Sequence, residues 1–161
     1  MGWCGILAEP GKAWHPHLRK NRISQIDTRA VWRNSGCELL FNETELREIS
    51  TLDKFNMCDL HSVLRLQGKE YLVKTISLED LLQTHSVPNE IGYLSIDTED
   101  SVYEILAHFD FGKRVLRCIT CDHNYTANRE KINSLLTSKG YVKKHTEFSE
   151  CDDWYFLDRE S

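Results

Sequence analysis

Basic residues are nowhere gathered in this 161-residue chain, whose net charge is −5. The longest cationic group is Leu18-Arg19-Lys20-Asn21-Arg22, which suits a solvated helix end. A nucleic-acid footprint needs a basic face, so no nucleic-acid partner is expected. Long apolar runs are missing too. None reaches the length of a membrane span, and no signal-peptide pattern opens the chain. The expectation is a soluble chain, with an intracellular setting favoured. Internal repeats and low-complexity segments are absent. The six cysteines are irregularly spaced and suggest no secreted staple framework. Cys118 and Cys121 form a C-x-x-C, but they fall inside an apolar strand pattern. Residues three apart on a strand point to opposite faces, so the pair cannot jointly hold a metal there. Buried, reduced thiols are expected instead.

The length is that of one domain, 1–161, able to bury roughly 70% of its unfolded surface without a staple. Strand-like and helix-like segments alternate along it. Residues 3–9 read as a buried strand ended by Pro10, 12–21 as a helix, and 26–32 as a strand. Residues 37–43 and 70–76 are β-rich, with a loop-like stretch from 51 to 68 between them. Ser77-Leu78-Glu79-Asp80 starts a short helix through Leu82 with a capping-box-like pattern. The strand 92–97 leads to Ser101-x-x-Glu104, a second capping box. Val102, Ile105, Leu106 and Phe109 then make one apolar helix face. The strand 115–121 follows, then a helix near 127–139 stopped by Gly140. Tyr141–Lys144 and Asp153–Leu157 read as antiparallel neighbours at one edge. The pattern predicts an α/β fold, a layered sheet covered on both faces.

Three apolar stretches end in an acid and run into a helix signal. They are Gly5 to Glu9, Tyr93 to Asp97 and Val115 to Asp122. In a parallel α/β sheet the ligand crevice lies at the carboxyl ends of the strands, so the three acids are expected to face one cleft. Glu9 suits two ribose hydroxyls, because a carboxylate offers several lone pairs to adjacent donors, or it is simply a loop acid beside Pro10. Asp97 and Glu99, with Asp122 and Asn124 past the next strand, offer hard oxygen ligands to Mg²⁺ or another hard cation, or to a polar cofactor group. Asp100 and Ser101 are explained by helix-start chemistry. Asp97 is not, because a carboxylate ending an apolar strand needs a partner. His123 has the side chain best matched to proton transfer near neutrality.

These stretches resemble the FkbM family of S-adenosylmethionine-dependent methyltransferases. The matching pieces are Gly2 to Pro10, Ile76 to Leu82, Gly92 to Leu106, Cys121 to Arg129 and Asp152 to Tyr155, in the family's order. Residues 33–70 match weakly. The resemblance implies a Rossmann-like class I methyltransferase sheet with helices on both faces. It implies methyl transfer from S-adenosyl-L-methionine to a hydroxyl oxygen of a small molecule or glycan. It places Glu9 at the cofactor ribose, Asp97 and Glu99 at the boundary between cofactor and acceptor, and His123 and Asn124 close by. His123, or else Asp97, is the implied proton acceptor. Two departures stand out. None of the eight glycines forms a G-x-G, and the family's first strand and glycine-rich turn would precede Gly2, between the strands ending at Glu9 and Asp97. The expectation is therefore a domain partial at its N-terminus. Asp100 and Val102 also stand where the family has Gly and Glu. A catalytically inactive domain of the same fold, serving as an interaction module, and a metal-dependent hydrolase using Asp97, Glu99 and Asp122 are the alternatives.

Overall fold

The structure, a computed structural model, describes residues 4–46, 50–52, 62–123, 125–147 and 149–158. It is a mixed α/β fold with helices packed on several small sheets. The chain opens with β1 (Ile6–Ala8) and α1 (His15–Asn21), then β2 (Gln25–Asp27) and β3 (Ala30–Trp32). The expected single strand 26–32 is split because Asp27 folds back on the chain. Its carboxylate accepts the backbone N–H of Arg29 at 3.0 Å and the Arg29 Nε and Nη2 donors at 2.9 and 2.6 Å. An aspartate bonding two residues on makes a turn of its own. As a result β2 pairs in parallel with β1, while β3 moves to another sheet.

That second sheet contains β4 (Glu38–Glu43), β5 (Thr51–Leu52) and β6 (Lys69–Ser77), in the order β3-β6-β4-β5. The β4–β6 pairing is antiparallel and runs from Glu38 opposite Lys74 to Glu43 opposite Lys69. The expected loop 51–68 holds β5 and a single turn of helix, α2 (Ser62–Arg65); residues 53–61 lie outside the described set. Next, α3 (Leu78–Thr84) starts where the sequence said, with Ser77 Oγ accepting the Asp80 N–H at 3.1 Å. It runs two residues past Leu82.

β7 (Glu90–Ile91) and β9 (Val115–Leu116) form a separate parallel pair. The expected strand 115–121 therefore divides into β9 and β10 (Cys118–Asp122). β8 (Leu94–Ile96), β10, β11 (Tyr141–Lys144) and β12 (Asp152–Leu157) form a sheet in the order β11-β12-β10-β8. β8 and β10 are parallel, β12 is antiparallel to both neighbours, and β11 lies at the edge as anticipated.

α4 (Val102–Ala107) and α5 (Asn128–Ser138) cover one face of this sheet. Val102, Ile105 and Leu106 from α4 and Leu136 from α5 meet Ile96 and Ile119 with almost no exposure. Each such side chain contributes about 1.5–3 kcal/mol by leaving water. Gly140 ends α5 at φ +84°, a left-handed conformation that suits glycine. The expected cover on the second face is not matched among the described residues. Tyr93 and Val142 there stay 43% exposed. A smaller core of Ala30, Trp32, Phe41, Leu52 and Val73 supports the β3-β6-β4-β5 sheet. No helix among the described residues is long and apolar enough to cross a membrane.

The second capping box does not form. Ser101 makes no side-chain bond to the helix; its hydroxyl donates to the Thr98 carbonyl at 3.0 Å. The cause lies just upstream, where Glu99 and Asp100 take φ +48° and +70°. That left-handed pair turns the chain so sharply that Ser101 enters the helix in an αR conformation, buried and facing back. Glu104, the box's other half, meets Arg33 instead at 3.5 Å.

Candidate functional site

The carboxyl ends of β1 and β8 meet at a cleft of about 270 Å³. Glu9, Asp97, Thr98, Glu99 and Ser101 supply its polar wall. Trp14, Val31, Phe41 and Leu52 are among its apolar lining. No lysine, arginine or histidine is among the lining residues described. Two of the three strand-end acids therefore share this space, and the third, Asp122, touches the same group. Carboxylate oxygens of Asp97, Glu99 and Asp122 lie within 4.8 Å of one another.

Glu9 is fixed by its own turn. Its backbone N–H prolongs the β1–β2 pairing to the Asp27 carbonyl at 2.9 Å. Its Oε1 accepts the Gly11 N–H at 2.6 Å. A Cβ on residue 11 would stand 2.7 Å from that oxygen, so any larger residue there would push the Glu9 carboxylate aside. The next donor, Ala13 N–H, goes to Glu43 Oε1 at 2.8 Å. Burial raises the Glu9 carboxyl, and nearby Glu43 and Asp97 push it further, against the Gly11 bond and His15.

Asp97 is exposed at the mouth of the cleft. The surrounding protein raises its carboxyl above the ordinary aspartate value, and Asp152 on β12 adds to the rise. Glu99 lines the same cleft but is buried, and its Oε2 takes a 2.8 Å bond from Arg65 Nη2. Asp100 turns away from the cleft. Its Oδ1 accepts the Thr126 hydroxyl at 2.6 Å and the Asn128 amide at 2.9 Å. These two bonds join the turn after β8 to the start of α5.

His123 does not line the cleft. It follows Asp122 directly, and neighbours on an extended segment point to opposite sides. Its ring packs near Asp153, with Nε2 3.9 Å from Oδ1. Nδ1 accepts the Tyr125 N–H at 3.1 Å, which puts the ring proton on Nε2, where it has no hydrogen-bond partner. Burial lowers the His123 pKa, and Arg129 and Lys143 lower it further against Asp153 and Asp152. Asp153 itself is bound by both Arg129 donors at 2.9 and 2.8 Å. The structure thus gathers Glu9, Asp97 and Glu99 around one cleft, with Asp122 beside it. It sets His123 in a buried polar group beside α5. Asn124 lies outside the described residues. Cys118 and Cys121 are free thiols, Cys121 buried with its pKa pushed up by burial.

Three contributors were missed in the sequence. Trp14 fell inside the expected helix 12–21 with no role of its own, and Phe41 and Arg65 came from residues 33–70, the stretch that matches the family weakly. β5 and α2 lie against the turn after β8, where Thr51 and Arg65 both bond to Glu99. Family models, curated proteins and solved structures were all compared with the chain, and none matches.

Proposed function

We propose that this chain is a Rossmann-like methyltransferase domain of the FkbM type. It would bind S-adenosyl-L-methionine and direct it to a hydroxyl oxygen of a small molecule or glycan. The observation that carries the reading is the meeting of Glu9 and Asp97, from two separate strands, in one cleft with no cationic lining side chain described. A cleft of that sign favours a cationic ligand and repels phosphorylated ones. When bound, the cofactor supplies a methyl group on a positively charged sulfur.

The residues in place fit part of that task. Glu9, its direction fixed by the Gly11 N–H, offers its carboxylate to the ribose hydroxyls. Asp97 sits at the cleft mouth with a raised pKa, which suits it to take the acceptor's proton. We assign that role to Asp97 and not to His123, whose ring faces Asp153. Alignment of acceptor and methyl group supplies most of the acceleration in such a displacement. The order β11-β12-β10-β8 with β12 antiparallel, and the parallel β1–β2 pair, agree with this reading of the sheet. β1 and β8 each have a strand partner on one side only among the described residues. The resemblance puts its glycine-bearing strand between them. Arg65 already meets the charge of Glu99, so the reading needs no metal. The alternative of a non-catalytic domain draws support from Asp100, whose carboxylate serves the α5 junction.

Calorimetric titration of S-adenosylmethionine is the test, run on this chain and on a version extended upstream. The expected result is heat of binding, weakened roughly tenfold in Glu9→Gln by the loss of a charged hydrogen bond. No heat from either protein would sink the proposal. Bound cofactor without transfer of a labelled methyl group would favour the non-catalytic domain.

A further inference from the structure

The Arg65 guanidinium stands behind the acidic wall of the cleft, contributed by the segment whose sequence matches the family least. Arg65 is 1% exposed and its side chain is wholly buried. It arrives there by construction. Asn42 on β4 donates its amide to the Arg65 carbonyl at 2.9 Å, holding the end of α2 against the hairpin. A Cβ on Gly68 would stand 1.6 Å from Asn42 Oδ1, so this close approach needs glycine. From the same segment the Thr51 hydroxyl donates to the Glu99 carbonyl at 3.3 Å. The hairpin therefore grips Glu99 twice, by backbone and by side chain, at a residue with φ +48°.

This grip has an electrostatic consequence. Asp97, Glu99 and Asp122 bring three carboxylates within 4.8 Å, and an unpaired buried charge among them would be costly. Arg65 pairs with Glu99, a buried member of this group, and leaves Asp97 and Glu9 facing the cleft. Building on the methyltransferase reading, we infer that Arg65 is the positioning residue that sets the charge of the cleft. By holding and neutralising Glu99, it limits the negative charge that an organic cation of the sulfonium class meets in the site. It touches no ligand itself and acts through Glu99.

The test reads the charge of the cleft without requiring a ligand. Trp14 lines the cleft, and Trp32 is buried. With Trp3→Phe and Trp154→Phe as background, quenching of Trp14 fluorescence by caesium relative to iodide reports the local potential. Arg65→Met should raise the caesium-to-iodide quenching ratio roughly two-fold, the effect of one nearby unit charge in a hydrated site. Glu99→Gln should lower the ratio. Arg65→Met with Glu99→Gln should return it close to the parent value, and Arg65→Lys should preserve it. A purely structural role predicts something else: both quenchers gain together, and Arg65→Lys behaves like Arg65→Met. That pattern, or an unchanged ratio in Glu99→Gln, overturns the inference, and Glu99→Gln and Arg65→Lys decide it even if Arg65→Met fails to fold. In parallel, S-adenosylmethionine and its neutral product S-adenosylhomocysteine are titrated into the parent and Arg65→Met. The preference for the charged form should rise about two-fold in the variant. If the parent binds neither, the methyltransferase reading falls while the quenching ratios still decide the role of Arg65.

Discussion

Replacing Asp100 with glycine sets backbone strain against side-chain bonding at the turn that shapes the cleft. Asp100 has φ +70°, where a side chain costs about 1 kcal/mol and glycine costs nothing locally. On that ground alone Asp100→Gly should stabilise the protein. Two terms oppose it. Glycine gives the unfolded chain more freedom, a loss of roughly 0.5–1 kcal/mol that cancels most of the relief. The Asp100 carboxylate also accepts the Thr126 hydroxyl at 2.6 Å and the Asn128 amide at 2.9 Å. In a half-buried setting such bonds contribute about 1 kcal/mol each, at the low end for charged partners. The balance is a net loss of about 2 kcal/mol, with a fall in Tm of roughly 4–8 °C for a domain of this size. Asp100→Asn keeps an oxygen acceptor and tolerates the left-handed backbone, so its loss should be about half as large. Urea denaturation of the three proteins, with equal slopes, checks the order parent, Asn, Gly. A glycine variant as stable as the parent or more so would refute the reasoning, because strain would then outweigh the bonds to α5.

Asp27→Asn should cost about 2–3 kcal/mol at neutral pH, since it weakens the bidentate Arg29 contact and the 3.0 Å contact to His85. Arg29 holds the Asp27 pKa well below the usual aspartate range. Its contribution is therefore complete above about pH 4 and is lost as pH falls toward the folded value. Urea midpoints for parent and variant that stay parallel down to pH 2 would contradict this. Asp97 is the opposite case. Its folded pKa is raised by partial desolvation from the surrounding protein and by Asp152, so its charge opposes folding above the ordinary aspartate pKa, and the penalty fades as acid protonates it. Asp97→Asn should stabilise by about 0.5 kcal/mol at pH 7, a small figure because the group is exposed and screened. The same variant should abolish methyl transfer, if the extended protein shows any. Leu136→Ala, in the fully buried face of α5, should cost about 3 kcal/mol through the cavity it leaves, read by the same denaturation series. Ser77→Ala removes the bond to the Asp80 N–H and should cost about 1 kcal/mol.

Local signals carried far in the second half of the chain. The spacing of Val102, Ile105 and Leu106, the Gly140 stop and the edge pair β11–β12 all appear where the residues pointed, because each depends on periodicity or a cap within one or two turns. The strand breaks did not show, since they depend on distant partners. Asp27 ends β2 partly because His85, at the far end of α3, reaches it, and β9 leaves β10 because β7 is there to pair with it. The same division governs the cleft. Glu9 and Asp97 were legible as acids at strand ends, for which strand polarity alone predicts a shared crevice. Which face a residue takes past a strand end hangs on one position, and there Asp122 and His123 part company. Arg65 left no trace in any pattern. A single arginine in an irregular stretch has a visible role only when the chain folds back across a separation of 34 positions to set its guanidinium on Glu99. The residue that balances the charge of a cleft is held to no spacing by the acids it serves, because pairing asks only for proximity and burial. A chain read from its sequence will therefore show where its carboxylates gather before it shows what neutralises them.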